Sequence, residues 1–259
     1  MPMRIGVDAT NIVATSDSIT SNLVAPPADG EGICSRCRTW ADEDSDNAAH
    51  PGECENCRDV RTALGMDPLR LAVVSMYKKP SDLRDWLTRY KGRDDEEDVY
   101  EPAFVDIVRS IFGRFVIEHG QALEVAAGPF DAIVVVPSTS RPGPHPLEAV
   151  LESLGLDTPL LPLLERGAGD LGFRRPAKDG FKVTGDHESM RVILVDDVYT
   201  TGSRLNSAAA ALTVAGHQVS AGLVLARRVN PAYNQRAAAL WQTAASAPFR
   251  WETSPWVPA

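Results

Sequence analysis

Nothing in this chain of 259 residues approaches the run of about 18 apolar residues that a membrane-spanning helix requires, which excludes helical insertion into a bilayer. The opening stretch Met1 to Leu23 has a single arginine and no continuous apolar block. It does not read as a secretory leader, and a cytoplasmic location is the expectation. Positive charge is also short: 26 Lys and Arg stand against 35 Asp and Glu, a net −9. Proteins that track duplex DNA along their surface gain most of that affinity by neutralising phosphates, so the balance argues against nucleic acid as the main ligand. A local basic patch remains compatible with it. Cysteine is limited to four residues and histidine to five. The cysteines come as two tight pairs, which in a reducing compartment points to a metal rather than to disulfides. No internal repeat is visible.

What is present is ordinary globular material, with 44% hydrophobic and 24% charged residues, enough to bury a core. Residues 1 to 30 are weakly periodic; they are expected to be mostly disordered, with room for a short strand at Arg4 to Asp8. Residues 31 to 62 hold the cysteines and an acidic loop. Residues 68 to 97 read as a helical connection, in which Leu83, Trp86, Leu87 and Tyr90 form one amphipathic stripe and Lys91 to Glu97 turn polar. From Met76 to Arg93 this connection carries Lys78, Lys79, Arg84, Arg89, Lys91 and Arg93, either a solvated helix face or a ligand-facing surface.

Residues 100 to 259 form the main domain. A helix is predicted from Glu101 to His119, stopped by Gly120 as a left-handed cap. The pattern then becomes strand, loop, helix. Strands are predicted at Asp131 to Val136, Pro159 to Leu164, Arg191 to Val195 and Gln218 to Ala226. Helices are predicted at Leu147 to Leu154, Ser203 to Ala215 and Pro231 to Ala244. Short β-branched strands alternating with helices imply a largely parallel α/β sheet built from right-handed crossovers.

Cys34-x2-Cys37 and Cys54-x2-Cys57 are separated by 16 residues. That spacing matches a four-thiolate tetrahedral zinc site, in which a closed coordination sphere makes the metal structural. Binding would also let so short and acidic a segment hold a shape. His50 is read as a solvated loop residue, and His119, His145, His187 and His217 as surface residues.

The most informative segment is Val192-Ile-Leu-Val-Asp-Asp-Val-Tyr-Thr-Thr-Gly-Ser-Arg204. It reads as a buried strand with two acids at its carboxyl end, then a short turn into a helix. Ligands of open α/β sheets bind at such strand ends. Free N–H groups at the helix start can cradle a phosphate, Thr200, Thr201 and Ser203 add hydroxyls, and Gly202 permits close approach. Asp196 and Asp197 would repel that phosphate but suit neutral hydroxyls. A diol beside a phosphate describes ribose 5-phosphate. The reading requires Asp196 near the amides of Thr200 to Gly202, and it requires that the two carboxylates not be buried against lysine or arginine.

VILVDDVYTTGSR resembles the phosphoribosyl pyrophosphate (PRPP) motif of type I phosphoribosyltransferases. With the cysteine pairs ahead of it and GFKVTG before the motif strand, residues 31 to 228 resemble the ComF family, which is associated with competence and DNA uptake. The resemblance implies a type I phosphoribosyltransferase fold preceded by a small zinc ribbon. It implies that Asp196 and Asp197 hold the ribose hydroxyls and serve as the catalytic pair, and that Val198, Tyr199, Thr200, Thr201, Gly202 and Ser203 wrap the 5-phosphate. The loop after the first sheet strand would bind pyrophosphate through Ser138, Thr139, Ser140 and Arg141, although it also reads as an ordinary proline-rich turn. Where the family carries an Arg-Gly-Phe-Asn-Gln-like stretch, this chain has His145-Pro-Leu-Glu-Ala149, so no acceptor is implied.

The resulting expectation is Mg²⁺-dependent phosphoribosyl transfer from PRPP to a nitrogen acceptor, with Lys178 or Lys182 closing over the leaving group. The alternative is a protein that binds PRPP or a nucleotide without turnover and meets single-stranded DNA or competence proteins through the cysteine module and the Met76 to Arg93 patch.

Overall fold

A parallel strand buried on both faces reads as an uninterrupted apolar run, because helices cover it above and below. The computed structural model describes residues 3–42, 50, 52–92, 98–139 and 143–253. Its first half runs α1 (Thr10–Ser18), α2 (Glu55–Leu64), β1 (Leu71–Tyr77), α3 (Asp82–Arg89), α4 (Ala103–Ala127), β2 (Ala132–Val135) and α5 (Pro146–Glu152). Its second half runs β3 (Leu164–Arg166), β4 (Phe181–Val183), β5 (Arg191–Tyr199), α6 (Ser203–Val214), β6 (Gln218–Arg228) and α7 (Gln235–Ser246). The main sheet has the order β1-β6-β5-β2 with every pairing parallel, and β3 and β4 form a separate antiparallel pair. The molecule is therefore an α/β protein with a parallel sheet flanked by helices.

Alternation along the strands divides the core in two. Ile133, Val135, Ile193, Val195, Leu223 and Leu225 face α1, α3, α4 and α5. Ala132, Val134, Val192, Leu194 and Val224 face α6 and the four cysteines. The cysteine segment is thus packed onto one face of the sheet, sharing a single apolar cluster with the strands.

Four expectations need correction. Residues 1 to 30 were expected to be mostly disordered, but α1 buries Ile12 completely and sets it against Gly113 of α4. Arg4 to Asp8 form no strand; Arg4 and Gly6 instead bond to Asp157 and Leu154. The connection at 68–97 contains β1, every residue of which is buried. Its outer side is capped by Val24, whose carbonyl accepts from Met76 N and whose amide donates to Ser75 Oγ. Finally, α4 passes through Gly120 rather than stopping there. A Cβ at this position would stand 2.1 Å from the Met3 carbonyl oxygen, so the glycine serves close packing of the N-terminal segment.

The strand predicted at Pro159 to Leu164 is reduced to one parallel bridge, Leu160 to Ile133, ahead of β3. The stripe of α3 and the helices near 147, 203 and 231 stand close to their expected places.

Candidate functional site

Where β5 ends, the chain must turn from strand into helix within a few residues, and Gly202 makes this possible. Its φ is +84°, and a Cβ there would lie 2.0 Å from the Tyr199 hydroxyl and 2.9 Å from Asn206 Nδ2. Only glycine fits both demands. Asn206, one turn into α6, locks the bend: Nδ2 donates to the Gly202 carbonyl at 2.9 Å, while Oδ1 accepts from Leu69 N at 2.8 Å. Thr201 and Ser203 place their hydroxyls 3.1 Å apart. Among the described residues, the amides of Thr201, Gly202 and Ser203 have no acceptor, as expected for the first turn of a helix.

This bend floors a cleft of about 310 Å³. Asp196, Asp197, Val198, Tyr199, Thr200, Thr201, Gly202 and Ser203 all line it, so the sequence-predicted strand end and turn come together. Thr139 lines it too, from the loop after β2. Ser138 is not on its wall, and Ser140 and Arg141 lie outside the described residues. A larger cavity of about 620 Å³ between residues 25–52 and α7 is mostly apolar in lining and holds only Asp42 and Arg236 as charged groups.

The carboxylates are not free. Asp196 is ion-paired with Arg204 of α6, and Asp197 with Lys91 just beyond α3, while Tyr90 donates to Asp197 Oδ2 at 3.0 Å. Both aspartates are almost wholly buried, at 2% and 1% exposure. Burial pushes the Asp196 carboxyl up to about 7 against the Arg204 charge. Burial acts in the same sense on Asp197, but the adjacent Lys91 outweighs it and holds that carboxyl well below the usual range. The condition that the aspartates stand clear of lysine and arginine is therefore not met, and the expectation of two free carboxylates ready for a sugar diol is corrected: Arg204 and Lys91 already hold them. A sugar diol could reach them only by displacing these partners.

His145 was read as a surface residue, yet it is buried, and its Nδ1 accepts from Leu147 N at the start of α5. It stands beside the aspartates, with one ligand atom from each of His145, Asp196 and Asp197 within 4.8 Å of the others. His119 and His217 are buried as well, His119 bonding to the Trp251 carbonyl; His187 is exposed as expected.

The basic stretch of the connection is not a continuous open surface. Arg84 is tied to Asp98 and Asp85, Arg89 to the Val99 carbonyl, and Lys91 to Asp197; Arg93 lies outside the described residues. Lys182 pairs with Glu165 across β3 and β4, and neither it nor Lys178 lines the cleft.

The four cysteines converge. All are buried, and their sulfurs lie within 4.8 Å of one another, with Cys34–Cys57 at 3.7 Å and Cys37–Cys54 at 3.4 Å. These separations are too long for a disulfide, about 2.05 Å. They approach the spacing of about 3.8 Å that four sulfurs take around a tetrahedral zinc. The donor set fits such an ion. Only the first pair sits in a loop, where Cys34 N bonds to the Thr39 carbonyl and Arg38 N to that of Cys34. The second opens α2: Cys54 is its N-cap and Cys57 lies in its first turn, where the helix dipole favours thiolates.

Arg204, Asn206, Arg174 and Arg227 also belong to the site and had no assigned structural role from sequence. Arg204 is the last residue of the motif, and Asn206 lies two residues beyond it. Arg227 carries no sequence signal beyond being a charge directly after the predicted strand Gln218 to Ala226.

The class defined by these observations is an α/β protein with a glycine bend at the carboxyl end of a parallel strand and a four-cysteine cluster on one sheet face. Comparison with protein-family models and with curated proteins finds no match. Among solved structures, the chain is similar to the UMP synthase of Leishmania donovani, with 17% identity over 62% of this chain and a TM-score of 0.34. The match spans 37% of that protein's length. So slight a likeness carries no functional argument, which rests on the site.

Proposed function

We propose that the β5 cleft binds a phosphorylated ribose of the PRPP class and that the chain is a ComF-like phosphoribosyltransferase-domain protein. The observation that carries this reading is the bend from Thr200 to Ser203, which lines the cleft with three amides that have no acceptor among the described residues and with two hydroxyls, beside Lys91 and Arg204 on the same wall. Backbone N–H groups at a helix start, with the positive end of the dipole behind them, are a ready anion site.

The ion pairs set how the remainder of the ligand engages. A sugar phosphate brings both anionic oxygens and neutral hydroxyls. Its anions offer Lys91 and Arg204 new partners, and its hydroxyls offer Asp196 and Asp197 donors in exchange. The exchange leaves no charge uncompensated, which matters because an unpaired buried charge is costly. Bond breaking at the ribose C1 would build negative charge on the leaving pyrophosphate, which Thr139, Lys91 and Arg204 on the cleft wall would face. Mg²⁺ would ride mainly on ligand oxygens, since Asp196 and Asp197 already face cations. Zinc is proposed as the resident ion of Cys34, Cys37, Cys54 and Cys57, with a structural role.

A second reading, ligand binding without turnover, is favoured by one observation: both acids are already neutralised by neighbouring cations. The two separate by experiment. Calorimetric titration with Mg²⁺-PRPP should show one saturable site, and incubation with nitrogen bases should release pyrophosphate if the chain is a transferase. Binding with no release leaves the ligand-binding protein; no binding removes the proposal.

A further inference from the structure

Arg227, near the end of β6, is 2% exposed. A guanidinium has five donors and no acceptor, so burying one requires several oxygens around it. Here they come from two places. Nε donates to the Cys37 carbonyl at 3.1 Å, and Nη2 lies 3.9 Å from Cys37 Sγ. Nη1 donates to the Thr200 carbonyl at 2.5 Å, to that of Tyr199 at 3.4 Å and to that of Arg228 at 2.9 Å. The Tyr199 ring lies under the guanidinium, with its centroid at 4.9 Å. No carboxylate among the described residues is paired with Arg227. Among the described residues the negative charge beside it would come from the cysteine cluster, because four thiolates around a divalent ion leave a net charge of about −2.

One side chain therefore holds the first cysteine loop with one edge and the strand end leading into Thr201, Gly202 and Ser203 with the other. We propose that Arg227 is a positioning residue that couples metal occupancy of the four cysteines to the shape of the phosphate-binding bend. With the metal in place, Cys37 is fixed and the guanidinium keeps its counter-charge, so the carbonyls of Tyr199 and Thr200 are clamped and the amides that follow are aimed into the cleft. Loss of the metal frees Cys37, removes the counter-charge and slackens the clamp. The proposal rests on the reading of that bend as a phosphate site and of the cluster as a zinc site. A second, more exposed bridge exists: Arg174 N donates to Thr201 Oγ1 at 3.3 Å, while its guanidinium reaches Glu55 and Asp59 of α2 at 2.6 and 2.7 Å. It touches α2 rather than a cysteine, and its charge is already matched by carboxylates.

Coupling between two sites is reciprocal, so ribose 5-phosphate should tighten zinc by the same factor that zinc tightens ribose 5-phosphate. The test uses the full chain. Zinc affinity is measured by chelator competition with and without saturating ribose 5-phosphate, and amide hydrogen exchange at Thr200 to Ser203 is followed with and without zinc. In wild type, ribose 5-phosphate should raise zinc affinity about tenfold, and zinc should slow exchange of those amides about tenfold. In Arg227→Gln zinc should still bind at one equivalent, but both factors should fall toward one; Arg174→Ala should keep them. Where Arg227→Gln fails to fold, Arg227→Lys serves, because it retains the charge without the planar fork and should lose most of the coupling. Undiminished factors in an Arg227 variant, or no effect of zinc on wild-type exchange, overturn the proposal. Wild type that does not bind ribose 5-phosphate sinks the phosphate-site reading instead, and the exchange data then decide the coupling alone.

Discussion

Burial at the end of β5 pushes the Asp196 carboxyl up to about 7, even with Arg204 beside it. The native state therefore retains a proton that the unfolded chain releases near the usual 3.8. Stability from this group is greatest below that value and falls as pH rises toward 7, because the folded form binds more protons across the window. Asp196→Asn removes the dependence. The stability of D196N minus that of wild type should grow between pH 4.5 and 7, by about 1 kcal/mol or more. Urea unfolding at several pH values measures this, and a constant difference would contradict it. Gly202 offers a second test. Left-handed backbone costs an ordinary residue about 1–2 kcal/mol, and the new methyl would collide with the Tyr199 hydroxyl. Gly202→Ala should lower stability by at least that amount and weaken ribose 5-phosphate binding at least tenfold, read by denaturation and titration. At this scale the sequence was informative about residue types and silent about partners. Asp-Asp, Thr-Thr and the glycine stood in order along one segment, whereas Lys91, far from them in sequence, meets Asp197 only once α3 is packed on the sheet.

Elements were legible where one face settles the period. The stripe Leu83, Trp86, Leu87 and Tyr90 needed no tertiary information, and neither did the β-branched runs of β2 and β5. Gly120 shows the limit. A glycine late in an apolar helix reads as a stop, since glycine takes the left-handed cap without strain. Here it stays helical because Met3 occupies the space a side chain would fill. Gly→Ala inside a helix ordinarily stabilises by about 1 kcal/mol. Gly120→Ala should do the reverse, displacing the N-terminal segment and lowering the thermal midpoint by several degrees; a raised midpoint would refute the packing role. The same segment explains why β1 was hidden. Ser75 interrupts its apolar run, and Val24, from a stretch with no visible pattern, satisfies the strand's edge. The order β1-β6-β5-β2 depends on such long-range pairing, which spacing does not encode.

Across the whole molecule, the cysteine segment is a wall of the core: its four sulfur-bearing residues share an apolar cluster with Leu71, Val134, Leu194 and α6. A metal bound there would stabilise the native chain by binding the folded form preferentially. Purified protein should contain about one zinc per chain, and chelation should lower the midpoint of one unfolding transition shared by both parts. Two separate transitions, with only the smaller shifted, would show an independent module. Spacing alone paired the four cysteines but could not reveal that they lean on the sheet face behind the cleft.

In the proposed function the bend after β5 holds the phosphate of a phosphorylated sugar. Amide NMR resolves this at the residues concerned, with ribose 5-phosphate, inorganic phosphate and ribose titrated into the zinc-loaded chain. Saturable shifts should centre on Thr201, Gly202 and Ser203, strongest with ribose 5-phosphate, weaker with phosphate and absent with ribose. Shifts that leave those three amides untouched, or that ribose alone reproduces, would contradict the account.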